Sequence, residues 1–268
     1  MRSVLQIPIN FRDPRWFQIS FLSFFLIYGI FFLDWEMDIT RYLVIFGSAI
    51  IAQIVCTYFT TKDYSSIKSA LISALSLCLL LKTNLYATAV IAAVITIASK
   101  FLIRYNNKHI FNPANFGIIA TILLTGDAWL SPGQWGNSML LLFIIGITGF
   151  AVLFRVGRID TSIAFISTFF ALEFMQNVIY KGWPLDYVLH EFSSGTLLLF
   201  TFFMITDPKT TPNSSKARII WSVMIALLAF FLTNWFYVHA APVWALVISA
   251  PVTALLDKVF IHQKFSWT

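Results

Sequence analysis

Apolar runs recur along almost the whole chain, each closed by a few polar or charged residues. They predict ten helices of membrane-crossing character near residues 16–33, 41–59, 69–81, 85–103, 113–125, 138–154, 161–179, 193–206, 219–236 and 241–261. Crossing a hydrocarbon core takes about 20 helical residues, and the third and eighth runs, at about 13 and 14, reach only roughly 20 Å. Those two must be broken, re-entrant or packed against other protein. They also resemble each other: SALISALSLCLLLKTN from Ser69 and SSGTLLLFTFFMITDP from Ser193 both open on small and hydroxyl residues and stop at polar ones. Short, interrupted segments at matching places predict a repeat, about 16–125 and about 138–261, and five spans per half makes the halves inverted. The expected fold is a single all-α polytopic membrane domain over 1–268, with about ten transmembrane helices in two inverted five-helix repeats and broken or short helices three and eight.

Composition narrows the class. The 268 residues are 59% apolar and 11% charged, with 28 Phe and 9 Trp, which a soluble domain would have to expose. With the N-terminus inside, 15 of the 18 Lys and Arg fall on inner segments and only Arg41, Lys82 and Lys181 outside. That bias places both termini on the cytoplasmic side of the inner membrane, and it makes the net charge of +6 a matter of topology, with no nucleic-acid partner implied. The polar, basic stretch Met1 to Arg15 and the long apolar run after it predict a first span that is retained. Cys56 and Cys78 lie in apolar segments as packing residues, and no metal-ligand spacing, GxxxxGK[ST], GxGxxG, CxxC or HExxH pattern occurs.

Candidate chemistry concentrates between Arg104 and Gly117, RYNNKHIFNPANFG, a polar stretch set between two apolar runs. Asn106, Asn107, Asn112 and Asn115 offer amides, Lys108 and His109 add donors, and Pro113 and Gly117 disfavour a continuous helix. Non-helical backbone at membrane depth is tolerated only against protein or around a polar ligand, so the stretch reads as a lined site; a solvated loop with Asn112 as helix N-cap is the alternative. YVHAAPVW, from Tyr237, is its counterpart ahead of the tenth run. Glu173, with Gln176 and Asn177 one turn on, is a carboxylate at membrane depth: a proton or cation path, or a structural hydrogen bond. Asp207 either caps a half-helix or lines the site.

Three strings carry a resemblance to the NqrB/RnfD membrane subunits of the sodium-pumping NADH:quinone reductase and of the Rnf complex. They are KHIFNPANFG at Lys108 to Gly117, SSGTLLLFTFFMITDPKTTP at Ser193 to Pro212, and Arg158-Ile159-Asp160. The DPRWFQI segment at Asp13 to Ile19 is similar to the stand-alone branch labelled enediyne biosynthesis protein UnbU. The resemblance implies two inverted five-helix repeats and flavin: FMN bound through a Thr of an SGAT motif in family members, and noncovalent riboflavin in some. Here the matching loop, GDAWLSPGQWGN at Gly126 to Asn137, has no Thr, and Ser194-Gly195-Thr196 lacks the Ala. The expectation is therefore no covalent attachment and a noncovalent flavin, riboflavin or FMN, held by Lys108, His109, Asn112, Asn115, Gly195, Thr196 and Asp207, with Phe111 and Phe116 stacking on the ring. Two functions follow: a redox subunit passing electrons across the bilayer between redox or flavin-carrying partner proteins, or a carrier or channel for flavin or another small polar solute.

Overall fold

The computed structural model describes residues 13–36, 38–60, 66–131, 135, 139–263 and 265. Asp13 caps α1 (Pro14–Phe32) by accepting from the Arg15 amide, and Asp38 caps α2 (Ile39–Phe59) through the Arg41 amide. There follow α3 (Ile67–Leu80), β1 (Leu81–Thr83), α4 (Tyr86–Leu102), β2 (Arg104–Tyr105), β3 (Lys108–His109), α5 (Pro113–Thr125) and β4 (Ala128–Leu130). The remainder comprises α6 (Met139–Val156), α7 (Ile159–Glu173), which widens into a π-helix over Phe174–Tyr180, and α8 (Leu185–Phe192). Next come α9 (Gly195–Leu199) with a π-helical continuation over Phe200–Met204, α10 (Ser215–Phe236), α11 (Ala241–Ser249) and α12 (Val252–Val259).

Each of the ten apolar runs contains helix, the third ending in β1 and the tenth divided into α11 and α12. Helices Arg15–Phe32, Ile39–Phe59, Ile159–Tyr180 and Ser215–Phe236 are each long and apolar enough to cross a membrane, and α11 with α12, bent by 54°, makes a fifth when taken as one span. Their outer faces leave Phe31, Leu43, Phe59 and Leu227 bare, as contact with lipid allows.

The expectation of an all-α chain is corrected by two short antiparallel ribbons. β1 pairs with β4, Leu81 opposite Leu130 and Thr83 opposite Ala128, and Leu81 and Thr83 are buried. Buried backbone needs partners, and this pairing supplies them where α3 stops. It also accounts for the shortness of the third run: 14 helical residues followed by 3 extended ones rise roughly 31 Å together, about the hydrocarbon thickness. β2 and β3 form a hairpin turned by Asn106 and Asn107, both at positive φ (50° and 62°). A two-residue turn of this hand requires that conformation, and Asn adopts it more readily than most residues. The two asparagines thus serve the turn. The short helix α8, which no apolar run announced, buries Val188 and leaves Leu185, Tyr187 and Leu189 exposed.

Helix packing follows one scheme twice. α1 packs on α3, α2 on α4 and α4 on α5; α6 packs on α9, α7 on α10 and α10 on α11. Between the two groups α1 meets α6 and α5 meets α11. Small residues allow the close approaches: Ala89, Ala92, Ala93, Ala226 and Ala229 are fully buried, and a Cβ added at Gly117 of α5 would lie 1.7 Å from Thr96 Oγ1 of α4.

Candidate functional site

The β2–β3 hairpin delivers the chain to α5, where Asn112 Oδ1 accepts from the Asn115 amide at 3.1 Å. Asn112 Nδ2 reaches across to the Met204 carbonyl at 3.3 Å and to Asp207 Oδ2 at 3.4 Å, so one side chain both caps α5 and bridges to the end of the interrupted α9. Asn115 Nδ2 donates to the Val243 carbonyl at 3.0 Å and ties the start of α5 to that of α11. Lys108 turns away from them. Its Nζ lies 2.7 Å from Asp257 Oδ2 on α12 and donates to the Thr211 carbonyl. The Phe111 and Phe116 rings face each other at 4.8 Å, a contact made within the chain.

The three strings that carry the resemblance converge here. Lys108 and Arg158 both hold Thr211, the latter by Nε to Oγ1 at 3.2 Å. Asp160 receives Arg218 on both oxygens, closest at 2.6 Å, and Ser215 Oγ as well. The loop after α9 is thereby pinned between the starts of α5, α7 and α10.

Beside the hairpin lies a cavity of about 520 Å³ lined by His109, Asn112, Asp207, Lys100, Arg104 and Lys209. Its far wall is α3, which presents Ser69, Ser73 and Ser76 at helical spacing, with Ser66 at the N-cap. Lys100, 4% exposed, donates to the Ser69 carbonyl at 2.9 Å and to its Oγ at 3.2 Å. Arg104 Nε donates to the Lys100 carbonyl. Burial, then the charges of Arg104, Lys100 and Lys209, push the His109 imidazole down to about 3, so it is neutral at physiological pH. Its Nδ1 is buried and has no hydrogen-bond partner among the described residues. Cations, hydroxyls and an unmatched ring nitrogen around one space suit a polar, anionic ligand.

Thr196 faces a different space. A second cavity, of about 550 Å³, is lined by Thr196, His190, Glu191, His239, Phe169 and Phe200. Burial and the charge of nearby Glu173 push Glu191 up to about 7. Gly195 is a packing position, since a Cβ there would lie 2.4 Å from the Trp135 ring. Gly195 and Thr196 thus sit at one end of the interrupted α9 and Asp207 at the other, roughly 18 Å apart at helical rise. Glu173, where α7 widens, accepts from Asn177 Nδ2 at 2.8 Å and from Asn234 Nδ2 at 2.9 Å, and Lys181 Nζ donates to Asn177 Oδ1 at 2.9 Å. Gln176 adds its backbone carbonyl, which accepts from the Lys181 amide.

Sequence reasoning gave no site role to Lys100, Lys209 or Asn234, and took Arg104 only as the first residue of the polar stretch. In the sequence the three cations read as topology signals, and Asn234 lies 61 residues from the carboxylate it meets. The serine spacing on α3 was the one local signal that pointed at a polar wall.

These features define a polytopic membrane protein with a polar interior at both ends of an interrupted helix. The chain belongs to the NQR2, RnfD, RnfE family, which it matches over residues 122–266. Relatives include a subunit of the ion-translocating oxidoreductase complex of Cellvibrio japonicus (strain Ueda107), 30% identical over 121 residues, covering 42% of this chain and 31% of that one. The corresponding subunit of Stutzerimonas stutzeri is 27% identical over 158 residues, covering 56% and 44%. The chain spans less than half the length of these relatives.

Proposed function

We propose that this chain is the membrane subunit of an ion-translocating redox complex, holding a noncovalent flavin and passing electrons across the bilayer between partner proteins. The observation that carries the reading is the meeting of the three family strings at the loop after α9, two of them also lining the cavity beside the hairpin, together with the names of the relatives. The residues fit such a group: the unmatched His109 Nδ1, the Asn112 amide and the Lys100 ammonium supply donors or acceptors for ring carbonyls and nitrogens. A bound flavin would supply one- and two-electron transfer. The chain's own part is to desolvate the ring, to set positive charge beside it and to keep the site closed by the pinned loop after α9.

The same reading takes the twice-repeated packing scheme as two inverted repeats of five spans. The basic end, with Arg104, Lys108, Lys209 and Arg218, faces the cytoplasm. DPRWFQI, whose Asp13 caps α1 and pairs with Arg15 and Lys68, supports placement in the UnbU-type branch. Glu173, held by Asn177 and Asn234, is the candidate for moving a proton or cation.

Absorbance and fluorescence of the purified protein test the reading. A stoichiometric yellow chromophore that bleaches with reductant, and that leaves the polypeptide on a denaturing gel, is the expected result; colourless protein overturns it. Two cavities at opposite ends of α9 favour a second reading, a carrier for flavin or another small polar solute. Colourless protein that takes up labelled flavin in vesicles would establish that one.

A further inference from the structure

We propose that the cavity at the start of α9 is a binding site for an organic monocation, an ammonium ion carrying apolar substituents, with Glu191 as its counter-ion. The inference is independent of the flavin reading, which concerns the cavity at the other end of α9. Its first ground is a set of polar groups without partners. Glu191 has neither a hydrogen bond nor an ion pair among the described residues, and the hydroxyls of Ser194, Thr196 and Thr233, which line the same space, have no side-chain hydrogen bond among them either. Thr196 is only 5% exposed. Buried polar groups are ordinarily hydrogen-bonded, so acceptors left over around one space call for a ligand that donates. Among the described residues no Lys or Arg lines this cavity, whereas Lys100, Arg104 and Lys209 line the one beside the hairpin. The carboxylate therefore lacks a cation that the protein itself does not supply.

The second ground is the character of the walls. Phe169 and Phe200 lie on them with Leu197, Val238, Pro242 and Val243, and aromatic rings away from water attract an ammonium ion as well as its apolar substituents. A bare metal ion needs several ligands converging on one point, and among the described residues no three His, Cys, Asp or Glu side chains are placed to hold one. At about 550 Å³ the space admits an ion with bulky groups. The approach to it is acidic. Trp135, seated against Gly195, meets Trp35 edge-on at 4.9 Å, so Asp34, Glu36 and Asp38 stand at this end of the molecule, where Arg41 is paired with Asp38 and Lys181 is bound to Asn177. Such a field raises the local concentration of cations. Burial, then the charge of Glu173, push Glu191 up to about 7, with Lys181 acting the other way, so the anion that the ammonium needs forms as the pH rises through 7. Tyr187 and His190 on α8 and His239 ahead of α11 are the other titratable groups around it, and protonated imidazoles would oppose a cation in the same sense.

The test is calorimetric titration of the full chain in phosphatidylcholine nanodiscs with benzyltrimethylammonium, and with benzoate as the anion of similar size. Saturable binding of the cation, one per chain at pH 8, is expected, with benzoate at least about 10-fold weaker. Glu191→Gln should weaken the cation by about 10- to 100-fold, the range that a lost charge-assisted partner gives. Asp186→Asn, on the same helix but outside the cavity, should leave the affinity unchanged. Between pH 8 and pH 5.5 the wild type should lose about 30-fold in affinity, the fall in the ionised fraction of a group that titrates near 7, and Glu191→Gln should lose less. If that variant does not elute as wild type, the pH profile and the comparison with benzoate, both made on wild type, carry the result. Cation affinity undiminished in Glu191→Gln, or no saturable binding, overturns the proposal. Benzoate binding as tightly as the cation overturns it too, and assigns the cavity to anions held by the starts of α9 and α11. Sodium chloride that raises the Tm of wild type but not of Glu191→Gln, with the organic ion failing to bind, gives the carboxylate to an inorganic cation and overturns the ligand class. The presence or absence of a chromophore in the same samples decides the flavin reading separately.

Discussion

Lys108 Nζ lies 2.7 Å from Asp257 Oδ2, and so the hairpin ahead of α5 is fastened to α12, 149 residues away. Asp257 Oδ1 also accepts from the Asn213 amide at 2.8 Å, which brings the loop after α9 into the same knot. Both side chains are mostly buried, at 15% and 18% exposure. Removing one charge leaves the other short of a partner, so Lys108→Met should cost about 1–3 kcal/mol. Lys108→Met/Asp257→Asn should recover part of the loss, because the substituted amide would still accept from the Asn213 backbone without a stranded charge. Thermal unfolding of the pair of variants measures it; a double variant no more stable than the single would remove the ion pair from the account.

Gly117 and Thr96 fix how closely α5 lies against α4. Gly117→Ala would push a methyl group into Thr96 Oγ1, only 1.7 Å from its ideal position, so the helices must part or the protein must lose stability by about 1–3 kcal/mol. Thr96→Gly in the same chain removes the clash and should restore much of the Tm. Gly117→Ala alone with wild-type Tm would show that the two helices are not in this contact.

Glu173 accepts from two asparagine amides, and a glutamine there offers one oxygen for both donors. Glu173→Gln should therefore keep the fold while costing about 1–3 kcal/mol, and Glu173→Leu should cost more, since it strands both amides. If the carboxylate also moves a proton or cation, the Gln variant loses ion-coupled activity in vesicles while retaining its chromophore. Undiminished ion coupling would leave Glu173 a structural role alone.

His109 ties stability to pH. Its folded value, about 3, lies below the ordinary 6.5, so below pH 6.5 the unfolded chain takes up a proton that the folded chain does not. Stability should fall as the pH drops from 6.5 towards 3, by up to about 2 kcal/mol at pH 5 from this group. His109→Gln should flatten that part of the profile. The comparison of Tm at pH 7.5 and pH 5 for the two proteins decides it, an equal drop in both being the contrary result.

Orientation is testable by cysteine labelling in intact cells. Pro184 and Lys216 are exposed and lie at opposite ends of the packed α7–α10 pair, whereas Arg158 is 7% exposed and a poor probe, and Gly133 lies outside the described residues. Pro184→Cys should react with an impermeant maleimide and Lys216→Cys should not. The reverse pattern would invert the topology.

The sequence by itself determined the places of the apolar helical runs, because a segment that lies in lipid must be apolar along its own length, and that property is local. It determined where the charges gather and which strings carry the family, since Asn112, Pro113, Arg158 and Asp207 are read one after another along the chain. Only the tertiary structure decided that the short third run continues as β1, because that depends on β4 standing beside it 47 residues later. It also separated Thr196 from Asp207, committed Lys108 to Asp257, and gathered Lys100, Arg104 and Lys209 around His109. Whether a charged side chain is a topology signal, half of an ion pair or the wall of a binding site depends on which partner reaches it across space, and hydropathy along the chain carries no information about that partner.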